Sequence, residues 1–311
     1  MGKKRKDFWK VIKGIRKQRI RMQQRLIGYW CVVILALFST AFLLLSIMGV
    51  IPGMDLKVRE MLSAQQKNTL SAMEEQTDIM MARSISLSED VTKELNQCLM
   101  VNGKAFSDLN DNSQLIMDLE AALYPSLKSA LDVKYCSGVF VILDATVNTG
   151  AECADTSRMG IYLRLSDLKA VNTSKQHVVF FRGNADIARA EQVQLHNRWN
   201  LEFDTSALPG YEQIMRFDGN RLVESCLWTD RLELSDTWED VQLLYVPVLD
   251  STGKVRGLCG MEMSNLYFRL SHPVVEGSCG NIVTVLAPMD EEGNICLDKA
   301  MFGDTKETYL S

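Results

Sequence analysis

Between Leu26 and Ile51 the chain runs for 26 residues, LIGYWCVVILALFSTAFLLLSIMGVI, without one charged side chain. About 20 apolar residues in a helix cross the hydrocarbon core of a bilayer, so this stretch is long enough to span with some tilt. It also divides the charge. Residues 1–30 hold 11 Lys and Arg against the single acid Asp7, a net +10. The remaining residues hold 23 basic and 38 acidic side chains, a net −15, which leaves the whole chain at −5. Basic residues beside a span stay on the cytoplasmic side. The sequence therefore predicts a basic cytoplasmic tail over 1–25, a transmembrane helix over 26–51, and an acidic C-terminal portion outside the cell membrane.

A cleavable secretory signal has a shorter basic region, an apolar core of about 7–15 residues and a small-residue cleavage site. Both regions are too long here and no such site precedes Pro52, which predicts an uncleaved signal anchor. In the tail, Phe8, Trp9, Val11, Ile12, Ile15 and Ile20 interleave with the charges. At helical spacing they form a ragged apolar face suited to anionic headgroups of the lipid bilayer. A nucleic-acid arm is the sharper alternative for a basic cluster, but a basic flank is the ordinary topogenic signal, and no nucleic-acid partner is expected. Tyr29 and Trp30 fit the aromatic belt of the inner boundary.

Apolar residues make up 47% of the chain, with six prolines and no low-complexity tract, which argues for a packed fold rather than a disordered stalk. Seven cysteines follow the apolar run (Cys98, Cys136, Cys153, Cys226, Cys259, Cys279 and Cys296). They are odd in number and lack CxxC spacing. This is not the framework of a disulfide-built domain, and it leaves room for one disulfide without naming its pair.

After Pro52-Gly53, a turn signal, Met54–Leu99 contains neither Gly nor Pro. Val58, Met61, Leu62, Met73, Met80, Val91, Leu95 and Leu99 recur mostly at three, four and seven residues, the period of an amphipathic helix. Continuous, it would be about 70 Å long at 1.5 Å per residue. It predicts a stalk that pairs with its copy in a homodimer. A second helix is expected over Asn112–Leu131, kinked or divided at Pro125. The period then changes. Gly138–Ala145, Gly160–Leu165, Val178–Phe181, Val241–Leu249 and Val255–Met263 read as strands, the last two joined by a hairpin turn at Asp250–Lys254. Ile282–Ala287 and Asn294–Leu297 read as a further hairpin. Long helices followed by an antiparallel sheet define an α+β fold.

The hairpin LLYVPVLDSTGKVRGLCGMEMS places Pro247, Asp250, Gly253, Gly257 and Gly260 in the pattern "P, small apolars, D-x-x-G, V-x-G-x-x-G". Together with the order of elements from 26 to 265, it resembles the double-Cache (PAS-like) extracytoplasmic sensor domains of bacterial membrane receptors. GIYLRLSD, FFRGNADIARAEQVQLHNRWNLEFD and NIVTVLAPMDEEGNICLDKAMFGD are similar to the sensor halves of clostridial membrane-anchored AraC-type transcription regulators. The resemblance implies a stalk and second helix over 52–132, a membrane-distal PAS-like lobe over 133–270, and the start of a membrane-proximal lobe over 271–311. Those regulators have a second span and a cytoplasmic helix-turn-helix. No second long apolar run follows Ile51, so the expectation is a fragment or a module acting through another polypeptide.

No catalytic constellation emerges: GxSxG, GxxxxGK[ST], GxGxxG and HExxH are all missing, and DSTGK at 250–254 lacks the upstream glycine of a phosphate loop. His177, His196 and His272 have no paired spacing, so neither a metal nor a cofactor is expected. A small-molecule pocket has better support. Tyr162, Arg164, Arg182, Arg189, Arg198, Trp199, Asp204, Tyr211, Trp228, Asp230 and Trp238 crowd the region between the strands. Pockets combine apolar walls with a few placed polar groups, and Arg can grip a carboxylate through two hydrogen bonds. Tyr162, Arg164, Arg182, Arg198, Trp199, Asp204 and Trp228 are the candidate ligand-binding residues. Arg164 comes first because it shares a strand face with Tyr162. The family's Tyr/Arg/Trp-Tyr spacing for amino acids does not match, so that ligand class is not inherited. The plain alternative for the tryptophans is core packing with satisfied indole N–H groups. The leading expectation is thus an anchored sensor module, not an enzyme. The alternative is an anchored extracellular structural protein that dimerises through its stalk without a ligand.

Overall fold

The computed structural model describes residues 3–47, 50–132, 136–166, 177–217, 225–234, 237, 239–272, 275–277, 280–290 and 292–303. Contacts divide the chain into two compact units, Met1–Asn68 and Thr69–Ser311. In the first, helix α1 (Lys3–Ile47) carries both the basic tail and most of the apolar run. Its segment Met22–Ser46, 25 residues, is long and apolar enough to cross a membrane. Side chains such as Leu35, Phe38 and Leu44 stand exposed all round it, as a lipid-facing helix requires. Ile51, the last residue of the predicted span, lies in a second helix, α2 (Val50–Asn102). Pro52 and Gly53, read as a turn, belong to the first turn of α2. The first N–H groups of a helix have no intrahelical acceptor, so proline there sacrifices no hydrogen bond.

In the second unit, α2 turns Met80, Leu87, Val91, Leu95 and Leu99 into the core at intervals of seven and four residues. The third helix, α3 (Ser113–Leu131), starts where the Asn112 side chain accepts the Leu115 N–H at 3.1 Å. It is not divided at Pro125: Leu119, Leu123, Tyr124 and Leu127 are buried around the proline and hold both halves to one core.

The sheet is built from β1 (Gly138–Leu143), β3 (Gly160–Ser166), β4 (His177–Arg182), β5 (Gln194–Asn200), β7 (Leu227–Trp228), β8 (Leu232–Glu233), β9 (Asp240–Leu249) and β10 (Val255–Ser264); β2 (Ser157–Arg158) and β6 (Phe203–Asp204) pair separately. Its order is β5-β4-β3-β1-β10-β9-β7, with β8 also on β9. All five predicted strands are present. The pairing is antiparallel except for β4–β5, which is parallel because α4 (Ala185–Ala190) carries the chain back across. At the β9–β10 turn Asp250 Oδ1 accepts from Thr252 N at 2.8 Å and Lys254 N at 3.1 Å, and Gly253 takes φ +80°.

The predicted second hairpin is rearranged. β12 (Gly280–Ile282) pairs with β11 (Val275–Gly277), and β13 (Val285–Leu286) pairs with β14 (Met301–Phe302). Across the expected turn a single bridge, Met289–Ile295, forms among the described residues. Asp290 caps that turn as its sequence suggests, accepting from Asn294 N at 2.7 Å, but an Asx turn does not fix which strands extend from it. Helix α6 (Asn265–Ser271) and β14 bring Phe268 and Met301 into the same core as the sheet.

The period-two alternation gives the sheet two unlike faces. Val139, Val141, Ile161, Leu163, Leu244, Val246 and Met261 point to the side of α2 and α3. Phe140, Ile142, Tyr162, Phe181, Leu243, Tyr245 and Leu258 point to the other, where α5 (Tyr211–Met215) packs.

Candidate functional site

The site lies on the face away from α2 and α3 and is organised around an absent side chain. Strand β1 is central, and its Gly138 is the register partner of Arg164 on β3 and of Glu262 on β10. With only hydrogen at 138, the two long side chains meet across the strand. A Cβ there would stand 2.7 Å from Glu262 Oε2 and 3.0 Å from the Tyr162 ring. Arg164 donates from Nε to Glu262 Oε2 at 2.8 Å and from Nη2 to Oε1 at 2.9 Å, a two-bond grip. The Ser137 hydroxyl donates to Oε1 at 2.8 Å, and the Tyr162 hydroxyl donates to Oε2. Glu239 accepts a further bond from Arg164 Nη2 and is half exposed, so it forms the outer edge of the cluster.

The core of this cluster is dry: Glu262 is 0%, Tyr162 3% and Arg164 4% exposed. Burial works against both charges, yet the Glu262 carboxylate outweighs it and raises the Arg164 guanidinium above its usual range. Burial likewise acts to raise Glu262, but the Arg164 charge and the bonds from Arg164, Tyr162 and Ser137 hold it below the usual carboxylate range. Burial, then the neighbouring carboxylate, pushes the Tyr162 phenol well up. The resting state is an ionised Arg–Glu pair with a neutral phenol donating to it.

A second cation borders the first. The Arg182 guanidinium lies 4.1 Å from the Phe181 ring centroid and donates to the carbonyls of Phe181 and Arg198 at 2.9 and 2.8 Å. Arg164 lies 5.5 Å from the same ring, and His196 packs edge-on against it at 4.9 Å. Burial first, and then the Arg164 charge, lowers the His196 pKa, which keeps a third positive charge out of the cluster. Tyr245, 0% exposed, stands edge-on to Phe140 on this face. Its buried hydroxyl has no hydrogen-bond partner among the described residues, and burial raises its pKa. An orphaned buried hydroxyl is costly to maintain and marks a place where a polar group is missing.

The structure thus brings together Tyr162, Arg164 and Arg182 and separates the other candidates from them. Arg198 is exposed on β5 and contributes backbone groups, its carbonyl accepting from Arg182 and its N–H donating to His196 Nδ1 at 3.1 Å. Trp199 packs with the helix-facing core, and its indole N–H donates to Gly183 O at 2.9 Å, as core packing requires. Asp204 is exposed and caps a short turn, accepting from Ser206 N at 3.0 Å; the Ser206 hydroxyl bond lowers its pKa. Trp228 also belongs to the helix-facing side. Trp238 lies outside the described residues. Ser137, Gly138, Glu239 and Glu262 escaped sequence reasoning. One signal was available for Glu262: it is the lone charge in the apolar strand LCGMEMS.

Among the described residues no group of three or more His, Cys, Asp or Glu side chains is placed to hold a metal. The described cysteines are all free thiols, with Cys136 and Cys259 buried. What the cluster can do is exchange one carboxylate for another on a prepaired guanidinium.

No protein-family model and no curated protein matches the chain. Among solved structures it is similar to the periplasmic sensory domain of the Campylobacter jejuni chemoreceptor Tlp1, at 12% identity and TM-score 0.35 over 62% of this chain and 57% of that one. It therefore spans less than two thirds of that domain's length. It is also similar to the methyl-accepting chemotaxis protein X, at 12% identity and TM-score 0.34 over 71% and 72% of the two chains. The sensory domain of the C. jejuni chemoreceptor Tlp3, solved with isoleucine bound, is similar at 10% identity and TM-score 0.29 over 72% and 71%.

Proposed function

We propose that the chain is a membrane-anchored extracytoplasmic sensor module of the double-Cache kind. In this reading a small molecule bearing a carboxylate binds the charged face of the sheet and shifts α2. The single observation that supports this most is the Arg164–Glu262 pair buried over Gly138 and edged by a half-exposed Glu239. A ligand carboxylate reaching Arg164 displaces Glu239, and Arg182, over the same Phe181 ring, and the Tyr245 hydroxyl are further polar groups on this face. An ammonium on the same ligand is matched by the freed Glu239. Tlp3 holds isoleucine; for this chain it is the charge layout that favours a carboxylate.

The N-terminal tail is cytoplasmic in this proposal, as positive-inside charge bias dictates, and α1 contacts lipid. The chain pairs with a second copy along α2, where Met61, Leu62, Leu70 and Ile79 are exposed. As the resemblance to AraC-type regulators implies, the module is the sensor half of a receptor. Ligand energy reaches α2 only through a difference in affinity between two helix arrangements.

A thermal-shift screen of the full chain in detergent micelles tests the reading, with amino acids and organic acids against neutral sugars. The expected result is a rise in melting temperature for a subset of the carboxylates and none for the sugars. Stability unchanged by every carboxylate removes the sensing role and leaves the anchored structural protein.

A further inference from the structure

On the side of the sheet opposite the charged cluster, the second unit contains two cavities of about 290 and 300 Å³. They share Thr77, Trp228, Met263 and Leu286, and so adjoin. Each is near the lower end of the roughly 300–1,000 Å³ typical of small-molecule sites. Helix α2 forms one wall, strands β7, β9 and β10 another, and the 286–288 segment a third.

Two buried carboxamides flank Met263 in these walls. Gln242 on β9 is the register partner of Met263 and shares the helix-facing side with Leu244 by period two. It is 8% exposed and lines the first cavity, and its side chain makes no hydrogen bond to a described residue. The Trp228 indole nitrogen is sealed and beyond an occupant's reach; the Gln242 carboxamide is not among such enclosed atoms and opens on the cavity. Gln76 on α2, 4% exposed, lines the second cavity and directs Nε2 to the Met263 sulfur at 3.2 Å, a weak acceptor. Its Oε1 has no partner among the described residues. A carboxamide holds two N–H donors and a carbonyl acceptor, and burying them unpaired is costly. The Thr77 hydroxyl between the two cavities already donates to Met73 O at 2.8 Å.

Charge narrows the ligand class. No Lys or Arg lines either cavity, and Lys299 is held by Asp230 at 2.7 Å, so neither lining supplies a cation for a carboxylate. Glu74 and Asp78 are exposed, where solvent screening weakens a grip on a cation. The buried walls instead offer uncharged donors and acceptors beside the apolar Met73, Phe268 and Leu286.

We propose that the two cavities form one binding site for a small uncharged molecule with an amide- or urea-type group, whose donor and acceptor pair with the Gln242 and Gln76 carboxamides. Its apolar part lies on Met73, Phe268 and Leu286. The site is distinct from the charged face in position and in ligand chemistry, and an occupant touches α2 directly.

The test uses the full chain in detergent micelles with ¹⁵N-labelled glutamine side chains, the two carboxamides assigned through Gln242→Met and Gln76→Met. Four probes share a phenyl ring: benzamide donates and accepts, toluene does neither, benzoate is anionic, and benzamidine is cationic and only donates. Benzamide is expected to move both carboxamide resonances saturably. The other three should bind about tenfold more weakly or less, the worth of one to two ordinary hydrogen bonds. In Gln242→Met the response at Gln76 should need about tenfold more benzamide, and in Gln76→Met the response at Gln242 likewise, with melting transitions confirming both folds. The benzamide response should persist in Arg164→Met/Glu262→Leu; its loss there would assign it to the charged face and overturn the proposal. Carboxamides unmoved by benzamide up to its solubility hold water only, which overturns it too. So does an equal response to all four probes, or tighter binding of benzamidine than of benzamide. The site uses neither Arg164 nor Glu262, so its failure leaves the sensing role at the charged face standing.

Discussion

The two faces of one sheet solve different problems. The face toward α2 and α3 is hydrocarbon: Val139, Val141, Leu163, Leu244 and Val246 meet Val91, Leu95, Leu119 and Leu123, all with no more than 0% exposure. Burial of that kind is the main stabilising term in folding. The opposite face buries Arg164 and Glu262 among Phe140, Phe181 and Tyr245. A buried ion pair is often no more stabilising than apolar residues of the same volume, because desolvation offsets attraction. The helix-facing side thus rests on apolar burial, and the other adds to its own apolar cluster a pair of charges that stability alone does not require.

Breaking the pair on one side should give the largest effect. Arg164→Met leaves the Glu262 carboxylate buried without a counter-charge and should lower unfolding stability by about 4 kcal/mol in denaturant titration. Arg164→Met combined with Glu262→Leu should recover most of that loss. If the double variant stays as unstable as the single one, the pair is structural and the contrast between the faces disappears. Gly138→Ala should act in the same direction, since its Cβ would fall 2.7 Å from Glu262 Oε2.

On the hydrocarbon face Leu119→Ala should cost about 3 kcal/mol, the transfer term plus a cavity. No second substitution on the same face should rescue it by removing a partner, in contrast to the charged pair.

One carboxyl on the helix side sharpens the comparison further. Glu120 on α3 is 1% exposed and accepts the Asn184 N–H at 2.9 Å. Burial raises its pKa to about 8, with the Glu202 charge adding to the rise against the bonds from the Asn184 and Gly160 backbones. A raised carboxyl pKa favours the protonated fold, so its contribution is complete below the unfolded pKa and is lost as pH rises through about 8. Between about pH 5 and pH 7 this group should remove about 2 kcal/mol of stability, and Glu120→Gln should flatten that part of the profile. An unchanged profile in the variant shows that Glu120 is ionised throughout.

The smallest effect is expected at Tyr245. Tyr245→Phe deletes a buried hydroxyl without a described partner and should leave stability within about 1 kcal/mol of the parent, or raise it. A loss well beyond that would reveal a structural bond at this hydroxyl.

Much of the scaffold was legible because it rests on local periodicity. The spacing of Val91, Leu95 and Leu99 marks a helix face, and Tyr162 and Arg164 share a strand face by period two. The partner of Arg164 was not legible. Glu262 is 98 residues away, and only the pairing of β1 with both β3 and β10 places the two across Gly138. The same limit separated Trp199 and Trp228 from the charged site: the sequence shows which residues can recognise a ligand but not to which side of the sheet a short strand turns them. Local signals also misplaced the turn at Pro52, since proline suits the first turn of a helix as well as a loop.

The most direct test of the account is ligand affinity in the Arg164→Met/Glu262→Leu variant, measured by calorimetry on the full chain with a carboxylate that stabilises the parent. The account predicts a variant as stable as the parent within about 1–2 kcal/mol and an affinity lower by on the order of 100-fold. Unchanged affinity in a folded double variant, or no stabilising carboxylate for the parent, would contradict it.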